Sequence, residues 1–291
     1  MKLLVILGPT ASGKTSLSIK LAKRFKGEII SADSRQVYKG MDIGTGKVTK
    51  KEMQGIPHYL LDVASPKKRF DVAQFKSLAE KAIAKIVKRK RLPVIVGGTG
   101  FYIQTLIDNI TIPEVKPDWK LRRKLEKKTQ KALYSLLKAR DPRRARTIDK
   151  NNPRRLIRAL EIVLKTGKPI PPSSSESRYE AVILGVKKDQ RQLKQLVEKR
   201  LTKRLKQGMI AEVKKLNESG VSFKRLEEFG LEYKYIALYL QGIINKEEMI
   251  DKLQKKIEQY AKRQMTWFKR DKRIKWIKSE KQAIDICQKE L

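Results

Sequence analysis

The chain has 291 residues, 40% of them hydrophobic, with 69 lysines and arginines against 31 aspartates and glutamates, a formal charge of +38. That length suits roughly two domains, and no apolar stretch approaches the roughly 18 residues that would mark a transmembrane span. The single cysteine, Cys287, excludes an internal disulfide framework and a cysteine-rich zinc site and points to a reducing cytoplasm. The charge excess attracts polyanions, with nucleic acid the obvious one, although lysine-rich surfaces also arise by adaptation to heat.

The first apolar run, "KLLVIL" (2–7), is too short for a signal peptide and reads as a buried strand of a parallel sheet. It leads into "GPTASGKT" (8–15), which fits GxxxxGKT with Gly8, Gly13, Lys14 and Thr15, and then into a helix, "KTSLSIKLAKRF". A strand, a glycine-rich loop and a helix in this order aim backbone N–H groups and a helix N-terminus at one anion. Lys14 adds a point charge, and the Thr15 hydroxyl is placed to ligate a Mg²⁺ that bridges two phosphates. Nothing in this arrangement reads adenine; the loop specifies a di- or triphosphate with Mg²⁺.

"GEIISAD" (27–33) predicts a second strand, "YLLDV" (59–63) a third, residues 71–90 a helix capped by Asp71, and "LPVIVGG" (92–98) another buried strand. Ligands of an open parallel α/β sheet bind beyond the carboxyl ends of its strands. Asp33 is therefore expected near the phosphates, as a general base or an outer-shell metal ligand, or else as a simple turn residue. In "VIVGGTGFY" two glycines allow close backbone approach to a ligand, and Thr99 offers a hydroxyl there. This strand lacks the terminal Asp or Glu common in ATPases.

The strands then stop. Asp118 opens a helix, Asp141-Pro142 another, and "NNPRRLIRALEIVLKTGKP" (151–169) a third, punctuated by Asn152 as N-cap, Pro153 at N1, Gly167 past the end and Pro169 beyond. Leu156, Leu160, Val163 and Leu164 share one face of it, with Arg154 and Arg158 on another. This segment reads as an all-helical insertion with an arginine face. "KPIPPSSSESR" (168–178) has linker composition, "YEAVILGV" (179–186) returns to the sheet, residues 246–271 form a long amphipathic helix, and "RIKWIKS" a last strand. The expected architecture is an α/β P-loop-type parallel sheet flanked by helices, its core domain at 1–115 and 178–291, with a helical insertion at 116–177.

Several motifs in this order, "GPTASGKT", "SADSRQVYKGMDIGTGK", "IPHYLLDV", "VGGTGFYIQTLI", "NNPRRLIRALE" and "KRQMTWFKRD", resemble the tRNA dimethylallyltransferase (tRNA isopentenyltransferase) family over nearly the whole chain. The resemblance implies transfer of a dimethylallyl group from dimethylallyl diphosphate to N6 of the adenosine 3′-adjacent to the anticodon, releasing diphosphate, with Mg²⁺ and no use of ATP. It implies that Gly8, Pro9, Thr10, Ala11, Ser12, Gly13, Lys14 and Thr15 hold the diphosphate, with Thr15 on the metal. It implies Asp33 as the base that takes the N6 proton, Thr99 near the reacting centre, and Lys14 neutralising leaving-group charge. Ser34, Arg35, Gln36 and, in the insertion, Arg122, Arg154, Arg155, Leu156, Ile157 and Arg158 then contact the anticodon stem-loop of tRNA, with Asp33 and Thr99. The chain departs from the family at "GLEYKYI" (230–236), where many members carry a "GYKE"-like motif, and at "GTGK" (44–47), where "GTAK" is commoner. His58, the only histidine, and Trp267 read as structural. A monomer is expected, since no self-complementary apolar surface is legible. Two readings from other classes share the loop: a small-molecule or nucleoside kinase using ATP, and a non-catalytic RNA-binding protein.

Overall fold

The computed structural model describes residues 1–171 and 177–291, and divides the chain into two compact units, Met1–Asn109 with Glu176–Leu291, and Ile110–Ser175. Residues 172–176 of the proline- and serine-rich linker segment lie outside the described residues.

In the first unit the chain runs β1 (Lys2–Leu7), α1 (Lys14–Arg24), β2 (Gly27–Ser31), α2 (Lys50–Met53), β3 (His58–Tyr59), α3 (Val72–Lys88), β4 (Leu92–Gly97) and α4 (Gly100–Ile107). The six strands of this unit form one parallel sheet, with four strands in this half and two after the excursion into the second unit. After the second unit's helices α5 (Trp119–Glu126), α6 (Gln130–Arg140), α7 (Pro142–Thr147) and α8 (Pro153–Thr166) come β5 (Glu180–Val186), α9 (Gln190–Lys206), α10 (Met209–Glu218), α11 (Phe223–Phe229), α12 (Leu231–Leu240), α13 (Lys246–Phe268), β6 (Lys275–Ile277) and α14 (Glu280–Glu290). The strand order is β3-β2-β4-β1-β5-β6. β1 is central, with Leu4 opposite both Val94 and Val182, and its residues Leu3 to Leu7 are all buried. Alternate side chains enter two different cores: Leu3, Val5 and Leu7 pack with α3 and α4, and Leu4 and Ile6 with α1 and Cys287 of α14. A third core joins α9 to α13 through Val197, Leu201, Val213, Leu226, Tyr233, Met249 and Leu253.

The third strand is shorter than "YLLDV" predicts. Only His58 and Tyr59 pair with β2, because Leu60 (φ 64°) and Asp62 (φ 56°) adopt left-handed backbone conformations that turn the chain out of the sheet. Leu60 is still buried in the core, so packing overrides its backbone preference.

The second unit is four helices around Leu125, Leu133, Leu137, Leu156, Leu160 and Val163. Asp118, Asp141 and Asn152 each cap a helix through the side chain, and Gly167 (φ 66°) ends α8 in the left-handed conformation. α6 lies among them, in a lysine-rich stretch without distinct punctuation, capped by Thr129.

Glu161 organises this unit. It is 0% exposed on α8 and accepts from the Asp118 N–H (2.6 Å), from Arg122 Nε and Nη2 (2.8 and 2.7 Å) and from Arg158 Nη1 (2.5 Å), which also donates to the Val115 carbonyl (3.0 Å). Burial pushes its pKa up, but Arg122, the Asp118 N–H and Arg158 outweigh this and hold it below the ordinary 4.5. A carboxyl lowered in this way stabilises the fold above its unfolded value and loses that contribution as pH falls through the folded value. Glu161→Gln should cost about 2 kcal/mol at neutral pH, because it leaves two partly buried guanidinium groups without their anion. Thermal melts should show that deficit shrinking below pH 4.

Candidate functional site

The loop after β1 is shaped by two glycines. A Cβ on Gly8 would lie 2.9 Å from the Val186 carbonyl oxygen of β5, and Gly13 (φ 90°) supplies the left-handed turn that opens α1. Lys14 folds back so that Nζ donates to the Pro9 carbonyl at 2.6 Å. Ser12 is buried, and its hydroxyl has no partner among the described residues. Thr15 stands exposed on the first turn of α1. The Thr10 N–H donates to Gln264 Oε1 of α13 (2.8 Å), and Arg200 of α9 donates to the Thr10 hydroxyl.

Two cations therefore share this loop. Withdrawal from water, and then the Arg200 charge, bring the Lys14 pKa down to about 7, against an opposing pull from Asp33. Burial, and then Arg204, lower Arg200 to about 10, opposed by Glu232 and Asp33. Two cations whose charge is disfavoured, Lys14 by burial and Arg200, and Arg200 by burial and Arg204, with a helix N-terminus and a buried hydroxyl without a partner among the described residues, make a site suited to a multiply charged anion. Arg200 escapes sequence reading as one of 69 basic residues. Its signal is position: Val197, Leu201 and Arg204 are buried on the same side of α9, so Arg200 belongs to an inward face.

Beyond β2 and β4 the two glycines of "VGGTG" serve close contacts within the protein. A Cβ on Gly97 would lie 2.1 Å from the Ala32 carbonyl oxygen, and one on Gly98 2.3 Å from Gln264 Nε2. This close approach lets the Ala32 carbonyl accept from the Thr99 N–H (3.2 Å), while Thr99 Oγ1 accepts from the Ser34 N–H (3.0 Å). Asp33 Oδ1 accepts from the Arg35 and Gln36 N–H groups at 2.8 and 3.3 Å, which fixes the carboxylate on its turn. Its charge acts on Lys14, Arg200, Tyr102 and Tyr260, so these side chains form one electrostatic constellation. Burial first, with Asp33 contributing, holds the Tyr260 phenol well above its ordinary value.

Arg35 and Gln36 are engaged internally. Arg35 Nε donates to the Phe229 carbonyl (2.9 Å) and its guanidinium sits 5.7 Å from that ring's centroid; Gln36 accepts from Ser31 Oγ and donates to the Gly46 carbonyl. The insertion residues belong to the other compact unit. There Arg154 and Arg155 are exposed, Arg122 and Arg158 are tied to Glu161, and Leu156 and Ile157 are core residues 0% and 7% exposed. The arginine face expected of α8 is therefore Arg154 and Arg155, because the buried carboxylate draws Arg158 inward.

The segments that depart from the family motifs meet in one network. Glu212 accepts from the N–H groups of Asp42, Ile43 and Gly44 (2.8, 2.6 and 3.0 Å) and from the Tyr233 hydroxyl (2.8 Å). Arg204 donates to the Gly44 carbonyl and to Glu232 (3.1 and 3.3 Å). A Cβ on Gly46 (φ 61°) would lie 1.7 Å from Arg204 Nη2, so the "GTGK" glycine is required by the guanidinium beside it. His58 is structural, its Nδ1–H donating to the Ile56 carbonyl (2.8 Å), and Trp267 is half-buried against Gly100 and Phe101.

The sheet order and the loop beyond its central strand define an open parallel α/β protein with an anion-binding loop. Residues 36–271 match the family model for IPP transferase. The chain is 43% identical over 286 residues to the tRNA dimethylallyltransferase of Acetivibrio thermocellus, covering 95% of this chain and 91% of that protein. Its structure resembles the full-length tRNA isopentenylpyrophosphate transferase of Bacillus halodurans, with TM-score 0.74, 38% identity and coverage of 99% and 94%. It also resembles a eukaryotic dimethylallyltransferase acting on tRNA, with TM-score 0.78, 31% identity and coverage of 91% of this chain and 69% of that one. This chain belongs to the IPP transferase family.

With Lys14 at about pKa 7, most of its amines are neutral at pH 8, and an anion held beside them restores the charge. Calorimetry in buffers of different ionisation enthalpy should show that wild type takes up about one more proton than Lys14→Ala when it binds diphosphate at pH 8. At pH 5.5, where the amine is already charged, that difference should vanish.

Proposed function

We propose that this protein transfers a dimethylallyl group from dimethylallyl diphosphate to N6 of the adenosine 3′-adjacent to the anticodon of tRNA. The single observation that carries the reading is the constellation of Lys14, Arg200 and Asp33, two cations held below their ordinary pKa values near a fixed carboxylate, in a chain of this family. The adenosine N6 attacks C1 of the dimethylallyl group, the C1–O bond breaks with its electrons passing to the diphosphate, and the N6 proton passes to Asp33. Lys14, Arg200 and the N–H groups opening α1 face the charge that grows on the leaving oxygen, where such groups lower a barrier most. The target base leaves its stack to reach the donor, at a cost of a few kcal/mol that is smaller in a loop than in a duplex.

Among the described residues no three His, Cys, Asp or Glu side chains cluster as a metal cage. Thr15, exposed on the first turn of α1, would be the residue to hold a Mg²⁺ brought with the diphosphate. When bound, Mg²⁺ supplies neutralising charge to the diphosphate. Thr99 holds Ser34 and so fixes the turn that carries Asp33, a positioning contribution. Arg154 and Arg155 offer exposed charge to RNA phosphates, a role that Leu156 and Ile157 support only from the core. We place the reaction in the cytoplasm, in a monomer; no helix among the described residues is long and apolar enough to cross a membrane. A kinase would use the same loop and an aspartate base, but it has no need of an arginine-bearing helical unit or of a +38 charge.

Incubation with unmodified tRNA, Mg²⁺ and radiolabelled dimethylallyl diphosphate, without ATP, should place label on an N6-modified adenosine. ATP turnover on a small acceptor with no label in tRNA would overturn the reading. Asp33→Ala should lower single-turnover transfer by about 10² or more with little change in tRNA affinity. Arg154→Ala with Arg155→Ala should weaken tRNA binding and flatten the slope of log Kd against log salt by roughly 1 to 2. Arg158→Ala, by contrast, should lower the melting temperature, because it removes a partner of Glu161.

A further inference from the structure

α13 presents three side chains, at i, i+4 and i+7, to the loops at the carboxyl ends of the sheet. Tyr260 lies within the field of Asp33, Gln264 joins Thr10 and Gly98, and Trp267 packs on Gly100, where a Cβ would meet its Cδ1 at 2.3 Å. Gln264 is the polar member of this row, and it is 6% exposed. Its amide is used at both ends: Oε1 accepts from the Thr10 N–H of the phosphate loop (2.8 Å), and Nε2 donates to the Gly98 carbonyl (2.9 Å) in the turn that carries Thr99.

The two loops so joined hold different halves of the chemistry. The first carries Lys14 and the anion site; the second, through Thr99 and Ser34, fixes the turn of Asp33. They follow neighbouring strands, β1 and β4, yet no backbone hydrogen bond joins Thr10 to Gly98; the connection is the primary amide of a glutamine some 160 residues further along the chain than Gly98. Buried polar groups are costly unless satisfied. An amide hydrogen-bonded at both ends between two loops therefore sets their separation, because each loop can move only by stranding one end of it. Gly98 fits the same geometry, since a side chain there would lie 2.3 Å from Nε2.

We infer that Gln264 is a positioning residue for the transfer reaction: it fixes the distance between the leaving-group loop and the turn that holds the proton-accepting carboxylate. The inference rests on the proposed function. Displacement of one loop by about 1 Å lowers a rate by up to 10² through lost alignment, without removing any group that touches substrate.

The test uses the full chain with tRNA and dimethylallyl diphosphate, and wild-type transfer is measured first. Wild type that modifies no tRNA would overturn the proposed function itself, and with it this role. Given wild-type transfer, Gln264→Met keeps the volume and removes both hydrogen bonds, and it should lower kcat about 10- to 100-fold while KM for tRNA stays within twofold. Gly98→Ala reaches the same contact from the other side and should lower kcat in the same way. The losses should be non-additive, so that the double variant is no slower than the worse single one, because both act through one contact. Gln264→Glu, which keeps the acceptor for Thr10 and loses the donor to Gly98, should fall between wild type and Gln264→Met. A kcat within twofold of wild type in folded Gln264→Met, or losses that multiply in the double variant, would overturn the inference. So would failure of both single variants to fold, which would make the amide a stability element.

Discussion

The site depends on how closely the ends of β2 and β4 approach one another. In a parallel sheet the carboxyl ends of neighbouring strands lie side by side, and the loops leaving them must share one crevice. Here the Ala32 carbonyl takes the place of a side chain at Gly97, so the two strands continue their hydrogen bonding through Ala32 and Thr99 past the formal end of the ladder. Asp33 and Thr99 then meet through Ser34 with no side chain intervening. Any residue with a Cβ at position 97 would separate them, and the carboxylate would lose the frame that holds it against the phosphate loop.

The electrostatics follow from that compactness. Asp33 acts on both Lys14 and Arg200 at the loop and Glu232 on Arg200 as well, yet both cations stay below their ordinary pKa values. A second pair, Arg204 with Glu232, lies behind the first, and its arginine adds to the strain on Arg200. The free site thus keeps cationic groups in an environment that disfavours their charge, a stress that a bound polyanion relieves. In the helical unit the arrangement is inverted: a single buried carboxylate, Glu161, carries two arginines and is fully satisfied by them. The same residue types therefore leave a surplus of positive charge in one unit and hold the fold in the other, and the difference is which charge is in excess.

Much of this was legible in the chain. The alternation of apolar runs and amphipathic segments sets the parallel α/β architecture, and GxxxxGKT after an apolar run marks the sharply turning loop that follows β1, where Gly8 (φ 154°), Ala11 (φ 62°) and Gly13 (φ 90°) all take positive φ. Asp71, Asp118, Asp141 and Asn152 mark helix starts by local hydrogen bonding alone, and each caps its helix. At these four helix starts local chemistry sufficed, because each cap bonds a backbone N–H three residues on. The third strand was not settled locally, since Leu60 reaches the core only by leaving extended geometry.

What the tertiary structure alone decided are the contacts made over long sequence separations. Arg200 reaches Thr10 and Gln264 reaches both Thr10 and Gly98, and although Gln264 lies in the "KRQMTWFKRD" motif, no local pattern specifies these partners. Likewise, Arg154 and Arg158 share a helix face in the sequence, and only the position of Glu161 separates an exposed arginine from one drawn into the interior. The sequence by itself determined the class of fold, the phosphate loop and the family. The packing of α9, α13 and the helical unit decided which charges are spent on structure and which remain for a ligand, because burial and pairing are properties of neighbours in space.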